Sequence, residues 1–217
     1  MSKFINITTE RDLREYFQNE TLYLSKKSNL KIEPYITLEN NIKFSGINII
    51  RSGTKVNSNS SIINCNIGRN NHIRENSLIV DTKIDINNIL GPYCFLRNSI
   101  IKKNNIVGTF VEMARSSLNT NNKISHRAYI GDTKVFSNVI IGAGVTTCNY
   151  KNGKKLKCTI QSGTLIGSGS QIIAELKIGR NCIIGAGSVI NKNLRDGTKI
   201  IQKRNNDITI FKKKIIK

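Results

Sequence analysis

Residues 160–190, IQSGTLIGSGSQIIAELKIGRNCIIGAGSVI, decide the fold of this chain. Isoleucine recurs at every sixth position of the stretch, and glycine follows it directly at Gly167, Gly179 and Gly185. An amphipathic helix would repeat apolar residues at intervals of three and four, and a half-buried strand would alternate them. A strict period of six instead predicts one short strand and one turn per repeat, with each isoleucine pointing inward. The repeated residues are Ile160, Ile166, Ile172, Ile178, Ile184 and Ile190.

The same step of six occurs earlier, from Ile50 to Ile62 and from Ile67 to Ile79, with one five-residue step between the two runs. Three such steps close a triangular coil of about 18 residues. Asparagine and glycine, which are common between the aliphatic positions, tolerate the positive φ that tight corners need. The pattern predicts an all-β protein, a left-handed parallel β-helix of hexapeptide repeats over residues 34–202.

Three segments depart from this period. Residues 1–33 lack it and contain TERDLREYF at residues 9–17, a capping threonine followed by apolar residues at helical spacing. This segment predicts a short N-terminal helix that caps the first coil. A loop insertion is expected at about residues 146–159, where the spacing between repeats exceeds three hexads. Residues 203–217 form a basic tail.

Composition limits the partners of the chain. Its 217 residues carry a net charge of +20, which would attract nucleic acid, an anionic membrane or a phosphorylated ligand. The lysines are scattered without a basic helix or an aromatic stacking platform, so nucleic acid is not expected as a partner. No apolar run is long enough to span a membrane and no secretory signal opens the sequence, which predicts a cytoplasmic protein. Two histidines are too few for a tri-histidine zinc site, and no metal is expected.

Five sequence blocks carry polar and aromatic residues that a structural repeat does not require. The blocks are GPYCFLR at residues 91–97, FVEM at residues 110–113, HRAYIGD at residues 126–132, GAGVTTCNY at residues 142–150 and IGAGSVI at residues 184–190. In their order and nearly in their spacing they resemble the C-terminal acetyltransferase domain of the bacterial bifunctional N-acetylglucosamine-1-phosphate uridyltransferase (GlmU) family. The resemblance covers about residues 34–203, and the 33 leading residues are too few for a uridyltransferase domain.

The resemblance implies an N-acetyltransferase that uses acetyl-CoA as co-substrate and acts on glucosamine 1-phosphate. His126 would take a proton from the sugar amine as general base, and Glu112 would orient and polarise its imidazole. The amine would then attack the thioester directly, without an acyl-enzyme. The resemblance also implies a homotrimer with sites between subunits. It assigns acceptor binding to Arg97, Tyr129, Asn149, Tyr150 and Lys155, and acetyl-CoA binding to Ala143, Ser168, Ala186 and Lys203.

Three positions differ from the family pattern and leave the acceptor open. Ala114 stands where the family has a lysine and Ile140 where it has an asparagine, and both family residues contact the sugar phosphate. Arg115 could supply the missing cation, although neighbouring residues of a strand point to opposite faces. Lys203 replaces an arginine, which forms a better fork for phosphate. An alternative acceptor is therefore another amino sugar, phosphorylated or nucleotide-linked. A catalytically inactive structural or regulatory β-helix is the second alternative.

Overall fold

A computed structural model describes residues 4–18 and 21–201, which form a parallel β-helix with one short helix. Within this part of the chain, each coil contributes one strand to each of three ten-stranded sheets. Successive coils stack in parallel register, so that Ile79 lies opposite Ile62 on one side and opposite Leu96 on the other. The β-helix predicted from the period of six is therefore confirmed.

We call the three sheets faces A, B and C, and the chain passes through them in the order A, C, B. Face A consists of Ile5–Ile7, Asn29–Ile32, Ile47–Ile50, Asn66–Ile67, Lys83–Ile84, Ile100–Ile101, Ser117–Leu118, Thr133–Val135, Cys158–Ile160 and Leu176–Ile178. Face C consists of Thr37–Leu38, Lys55–Val56, His72–Ile73, Ile89–Leu90, Ile106–Val107, Lys123–Ile124, Ile140–Ile141, Leu165–Ile166, Ile183–Ile184 and Lys199–Ile200. Face B consists of Tyr23–Leu24, Lys43–Ser45, Ser61–Ile63, Leu78–Val80, Phe95–Arg97, Glu112–Ala114, Tyr129–Gly131, Thr146–Cys148, Gln171–Ile173 and Val189–Ile190.

The core is a set of side-chain columns inside the coils, because each short strand points one residue inward. On face B the central column holds Ile79, Leu96, Met113 and Ile130, and none of these side chains is exposed to solvent. Burying one such side chain contributes about 1.5–3 kcal/mol. Thr147 continues the column, and its hydroxyl is satisfied because it accepts a hydrogen bond from the Gly131 amide at 2.7 Å.

Residues 4–18 form one helix, Glu10–Phe17, and one strand, Ile5–Ile7, which pairs antiparallel with Asn29–Ile32 of face A. Thr9 caps the helix: its hydroxyl accepts from the Asp12 amide at 3.1 Å, and the Asp12 carboxylate accepts from the Thr9 amide at 3.1 Å. Leu13 is the residue that the helix buries completely. The short N-terminal helix predicted from TERDLREYF is confirmed.

The central coils contain 17 residues, one fewer than three hexads. The register of Ile62, Ile79, Leu96, Met113 and Ile130 advances by 17 residues at each coil. The residue is lost between faces B and A, at an edge that we call the B–A corner. One residue per coil adopts the left-handed conformation there, with φ near +50°. These residues are Asn64, Asp81, Asn98, Arg115 and Asp132.

A β-hairpin leaves the coil at the B–A corner. Its strands, Tyr150–Lys151 and Lys154–Lys155, are antiparallel and joined by Asn152 and Gly153, which both have positive φ. An Asn-Gly pair with positive φ at both residues is the preferred two-residue hairpin turn. The loop expected at about residues 146–159 is this hairpin. The two ends of that range belong to the strands Thr146–Cys148 of face B and Cys158–Ile160 of face A.

Two further sequence predictions concern a membrane span and the basic tail. Within residues 4–18 and 21–201, no helix has the length and apolarity needed to cross a bilayer. The basic tail at residues 203–217, with Lys203, lies outside the described residues.

Candidate active site

His126 is exposed at the edge between faces C and B, which we call the C–B corner. Successive coils are joined there by backbone hydrogen bonds, each from the amide of one coil to the carbonyl of the coil before. The bonds run from Gly144 to His126, from Gly169 to Ala143 and from Gly187 to Ser168, at 2.8–2.9 Å. His126, Ala143, Ser168 and Ala186 therefore occupy equivalent positions of successive coils, and we call them the C–B column. The predicted general base and three predicted acetyl-CoA residues lie along one edge.

Glycines allow the coils of the C–B column to approach each other closely. A Cβ atom on Gly142 would lie 2.5 Å from the Ser168 nitrogen, and one on Gly167 would lie 2.4 Å from the Ala186 nitrogen. Both contacts are with backbone, so rotation of a side chain cannot relieve them. These glycines are required by close packing, and the edge that they form is open to solvent at Gly144, Ser168 and Gly169.

The Thr109 amide donates a hydrogen bond to Nδ1 of the His126 imidazole at 3.2 Å. A backbone amide is a fixed donor, so Nδ1 must be the acceptor and the neutral ring carries its proton on Nε2. In this tautomer Nε2 cannot take a proton from an amine. The ring can act as a base through Nε2 only after it breaks the contact with Thr109 and its proton moves from Nε2 to Nδ1, an exchange that solvent at the exposed ring can carry.

Glu112 lies on face B, and its carboxylate pairs with Arg97 instead of His126. Arg97 donates from a terminal nitrogen to Oε1 of Glu112 at 2.8 Å, and its guanidinium also lies over the ring of Phe95. In the part of the chain that the structure describes, no hydrogen bond joins Glu112 to His126. The polarising contact of Glu112 with His126 stays a prediction, and the contact observed for the ring is with Thr109.

Residues predicted to bind the acceptor converge at the B–A corner. Asn149 donates a hydrogen bond to the carboxylate of Asp132, and Arg115 donates to both oxygens of that carboxylate at 2.7 Å. A Cβ atom on Gly131 would lie 2.5 Å from the Asn149 amide nitrogen and 2.6 Å from the Tyr129 hydroxyl, so both side chains lie over this glycine. We call Arg115, Asp132 and Asn149, together with Tyr129, the B–A network.

The electrostatics of the B–A network favour an ionised Asp132. The hydrogen bond from Arg115 lowers the pKa of this carboxyl below its ordinary value of 3.8, and the bond from Asn149 and the charge of Lys155 act in the same direction. Asp132 in turn raises the pKa of Arg115. The network therefore keeps one carboxylate and one guanidinium paired at neutral pH.

Asp132 was not among the site residues predicted from the sequence. The expectation that the alternation of a strand turns Arg115 away from the acceptor was wrong. The strand ends at Ala114, and Arg115 lies at the corner with φ of +50°, so the alternation of a strand does not govern its direction. Its guanidinium reaches the side of Tyr129 and Asn149. Ala114 itself is completely buried and presents no polar group.

The remaining predicted residues are more exposed or lie elsewhere. Tyr150 and Lys155 are cross-strand partners in the hairpin, and the Tyr150 side chain is 68% exposed. Ile140 lies on face C, away from the B–A network.

His126 and Asp132 are six positions apart, so at about 3.3 Å per residue the two corners are up to about 20 Å apart across face B. Among the described residues, no cluster of three His, Cys, Asp or Glu side chains could hold a metal.

Comparison with known proteins identifies relatives of part of the chain. Residues 157–192 match the family model described as bacterial transferase hexapeptide (six repeats). The bifunctional protein GlmU of Saccharophagus degradans is 44% identical over 79 residues, which are 36% of this chain and 18% of that protein. GlmU of Ruthia magnifica is 51% identical over 73 residues, which are 34% of this chain and 16% of that protein. The aligned part of the chain therefore spans less than a fifth of these relatives.

A solved structure supports the fold independently. The UDP-N-acetylglucosamine acyltransferase of Francisella novicida superposes with a TM-score of 0.53 at 18% identity, over 75% of this chain and 63% of that chain. At this level of identity the similarity shows the fold alone. The chain therefore carries the hexapeptide repeats of bacterial transferases on a parallel β-helix and is similar, over about a third of its length, to the GlmU proteins.

Proposed function

We propose that this protein is an acetyl-CoA-dependent N-acetyltransferase of amino sugars, with glucosamine 1-phosphate as its acceptor. The observation that carries the proposal is the C–B column, in which His126 is stacked with Ala143, Ser168 and Ala186. The thioester of acetyl-CoA, lying along this column, would end beside the imidazole. The similarity to GlmU proteins supports the reaction class, and we place the reaction in the cytoplasm, with no nucleic acid as partner.

In this reaction the amine nitrogen of the sugar attacks the thioester carbon. A C–N bond forms, the C–S bond breaks, and the proton lost by the amine passes through His126 to the departing thiolate. The imidazole must first release the Thr109 amide and exchange its proton from Nε2 to Nδ1 through solvent, so that Nε2 offers a lone pair to the amine. The small residues of the column keep the backbone accessible to the thin pantetheine arm.

The acceptor would be held by Tyr129, Asn149 and Lys155, with Arg97 and Tyr150 beside them. Within one chain these residues lie toward the opposite edge of face B from His126. We therefore propose that the complete site forms between protomers of a homotrimer, so that the C–B column of one protomer meets acceptor residues of its neighbour.

Face C carries an apolar surface that supports this assembly. One outward position of each coil forms a column on this face, and five of its side chains are aliphatic and 40–46% exposed. They are Ile89, Ile106, Ile140, Leu165 and Ile183. A neighbouring protomer packed on this surface would bury the apolar column and stand directly beside the C–B corner. Ile140 would then be an interface residue, which explains an aliphatic side chain at a position where the family has asparagine.

Replacing Ile106 by aspartate is expected to convert the homotrimer to monomer, because a buried unpaired carboxylate opposes packing on face C. Light scattering coupled to gel filtration would give three times the 24.3 kDa mass of one chain for the unsubstituted protein, and the mass of one chain for the variant. Ile100→Asp is the matched control, since Ile100 is 45% exposed on face A. A monomeric unsubstituted protein, or equal effects of both variants, would contradict the proposed interface.

The proposed activity is tested by thiol release from acetyl-CoA in the presence of single amino sugars. Turnover is expected with glucosamine 1-phosphate, with identification of the N-acetylated product by mass spectrometry. Glucosamine 6-phosphate, glucosamine and UDP-glucosamine test the alternative acceptors. If no amine supports turnover and acetyl-CoA does not bind, the protein is a structural or regulatory β-helix.

A specific observation favours the alternative acceptor. Ala114 is buried and cannot contact a phosphate, while Ile140 belongs to the apolar column of face C. Two polar contacts expected for glucosamine 1-phosphate are therefore missing from this chain. An amino sugar with its phosphate elsewhere, or with a nucleotide attached, would be bound through different cations, and the acceptor panel separates these cases.

A further inference from the structure

Arg115 is held in a defined direction at the B–A corner. Its Nε and one terminal nitrogen donate to the two oxygens of Asp132 at 2.7 Å each, so the planar guanidinium cannot rotate freely. The carboxylate is itself held by Asn149, which donates to it. A paired and fixed guanidinium loses less conformational entropy when it binds an anion than a mobile lysine would.

The pairing with Asp132 leaves much of the guanidinium available. The group has five N–H donors, of which two serve Asp132 and one serves the Tyr129 hydroxyl, so two remain for a ligand. The Arg115 side chain is 28% exposed, whereas the Asp132 side chain is only 11% exposed. Solvent therefore meets the guanidinium more than the carboxylate, and the surface offered to a ligand is cationic.

The groups around Arg115 suit an oxyanion. The Tyr129 hydroxyl and the Asn149 amide lie together over Gly131, and both can donate to oxygen. Lys155 lies near enough to act on the charge of Asp132, which adds a second cation to the same corner. Arginine binds phosphate in a bidentate manner, with two parallel hydrogen bonds. The B–A corner thus places two cations, Arg115 and Lys155, beside the ionised carboxylate of Asp132, whose charge Arg115 balances. Tyr129 and Asn149 add two neutral donors.

We infer that Arg115, positioned by Asp132, binds the phosphate of the sugar acceptor and determines specificity for phosphorylated substrates. This inference rests on the proposed function, and it assigns to Arg115 the charge that Ala114 cannot supply. Arg115 would contact the substrate, whereas Asp132 would be a positioning residue that acts through Arg115. The shared chemistry is a phosphate ester, whether it belongs to a sugar phosphate or to a nucleotide sugar.

The test is calorimetric titration of the full chain with glucosamine 1-phosphate, UDP-glucosamine and glucosamine. Arg115→Gln is expected to weaken binding of the phosphorylated ligands by about 10- to 100-fold, since a charge-assisted bidentate contact is lost. Binding of glucosamine should be unchanged. Arg115→Lys should restore part of the affinity, and Asp132→Asn should weaken binding of the same ligands to a smaller extent. The phosphorylated ligand that loses affinity in the Arg115→Gln variant shows whether Arg115 recognises the phosphate of a sugar phosphate or of a nucleotide sugar.

Arg180→Gln is the matched control, because it removes the same charge from an exposed position near face A. Thermal unfolding of every variant verifies that the β-helix is intact. The inference is overturned if Arg115→Gln weakens all three ligands equally, if Arg180→Gln has the same effect, or if the unsubstituted protein binds no phosphorylated sugar more tightly than glucosamine. Binding is measured without acetyl-CoA, so a protein that binds phosphorylated sugars through Arg115 yet transfers no acetyl group would refute only the proposed function.

Discussion

Replacing His126 by alanine is expected to reduce kcat for acetyl transfer by about 10²–10⁴-fold, the usual contribution of a general base. The ring is exposed at the C–B corner, so its removal leaves no cavity in the core and the fold should be retained. Initial rates of thiol release at saturating acetyl-CoA and acceptor measure the change. The KM for acetyl-CoA should move little, because the column binds the co-substrate through backbone and small side chains.

The chain offers a close control for this substitution, since it contains only two histidines. His72 lies on face C, where its Nε2 is hydrogen-bonded to the Asn57 amide oxygen at 3.1 Å. His72→Ala should therefore keep the turnover of the unsubstituted protein. Comparable turnover in the His126→Ala variant would show that another group, or water, accepts the proton, and the role of His126 would be reduced to its contact with Thr109.

The second large effect is expected from Gly167→Ala, which should lower the free energy of unfolding by about 1–3 kcal/mol and raise the KM for acetyl-CoA. The added Cβ would meet the Ala186 nitrogen at 2.4 Å and its Cα at 2.7 Å. Because both atoms are backbone, the coils themselves must move apart. That movement displaces Ser168 and Ala186, the part of the C–B column proposed to carry the co-substrate.

Urea unfolding and the KM for acetyl-CoA measure the two effects of Gly167→Ala separately. Gly185→Ala is the appropriate control, because its added Cβ would approach no atom closer than 3.1 Å. Gly185→Ala should lower the free energy of unfolding less than Gly167→Ala does, although Gly185 lies in the next coil along the C–B corner. Unchanged stability and KM in the Gly167→Ala variant would mean that the coils are not as closely packed as the structure has them.

The sequence predicted the architecture well because the physics of the repeat is local. Each six-residue step must bury one aliphatic side chain and turn once, and Ile160 to Ile190 satisfies both conditions in every repeat. The helix at Glu10–Phe17 was predictable for the same reason, since Thr9 and Asp12 cap it within four residues. The period of six by itself predicts coils of 18 residues, and the 17-residue length of the central coils is visible in the sequence as the five-residue step from Ile62 to Ile67.

The candidate site was accessible only through the family resemblance. Nothing in the local sequence indicates that His126 and Ala186 share one edge, because three further coils and a hairpin separate them along the chain. The pairing of Glu112 with Arg97, 15 residues away, was not foreseen, since both residues were assigned to other partners. Arg115 was misjudged because its left-handed conformation removes it from the alternation of the strand.

The sequence by itself determined that this chain winds into coils, where the helix precedes them, and which side chains enter the core, since burial and turning are decided within a few residues. Only the tertiary structure decided which polar side chains meet at the corners. Those contacts join residues 17 positions apart, such as Arg115 with Asp132 and Asp132 with Asn149. Their partners depend on the number of residues in each coil, so a single residue gained or lost at one corner changes every neighbour along that edge.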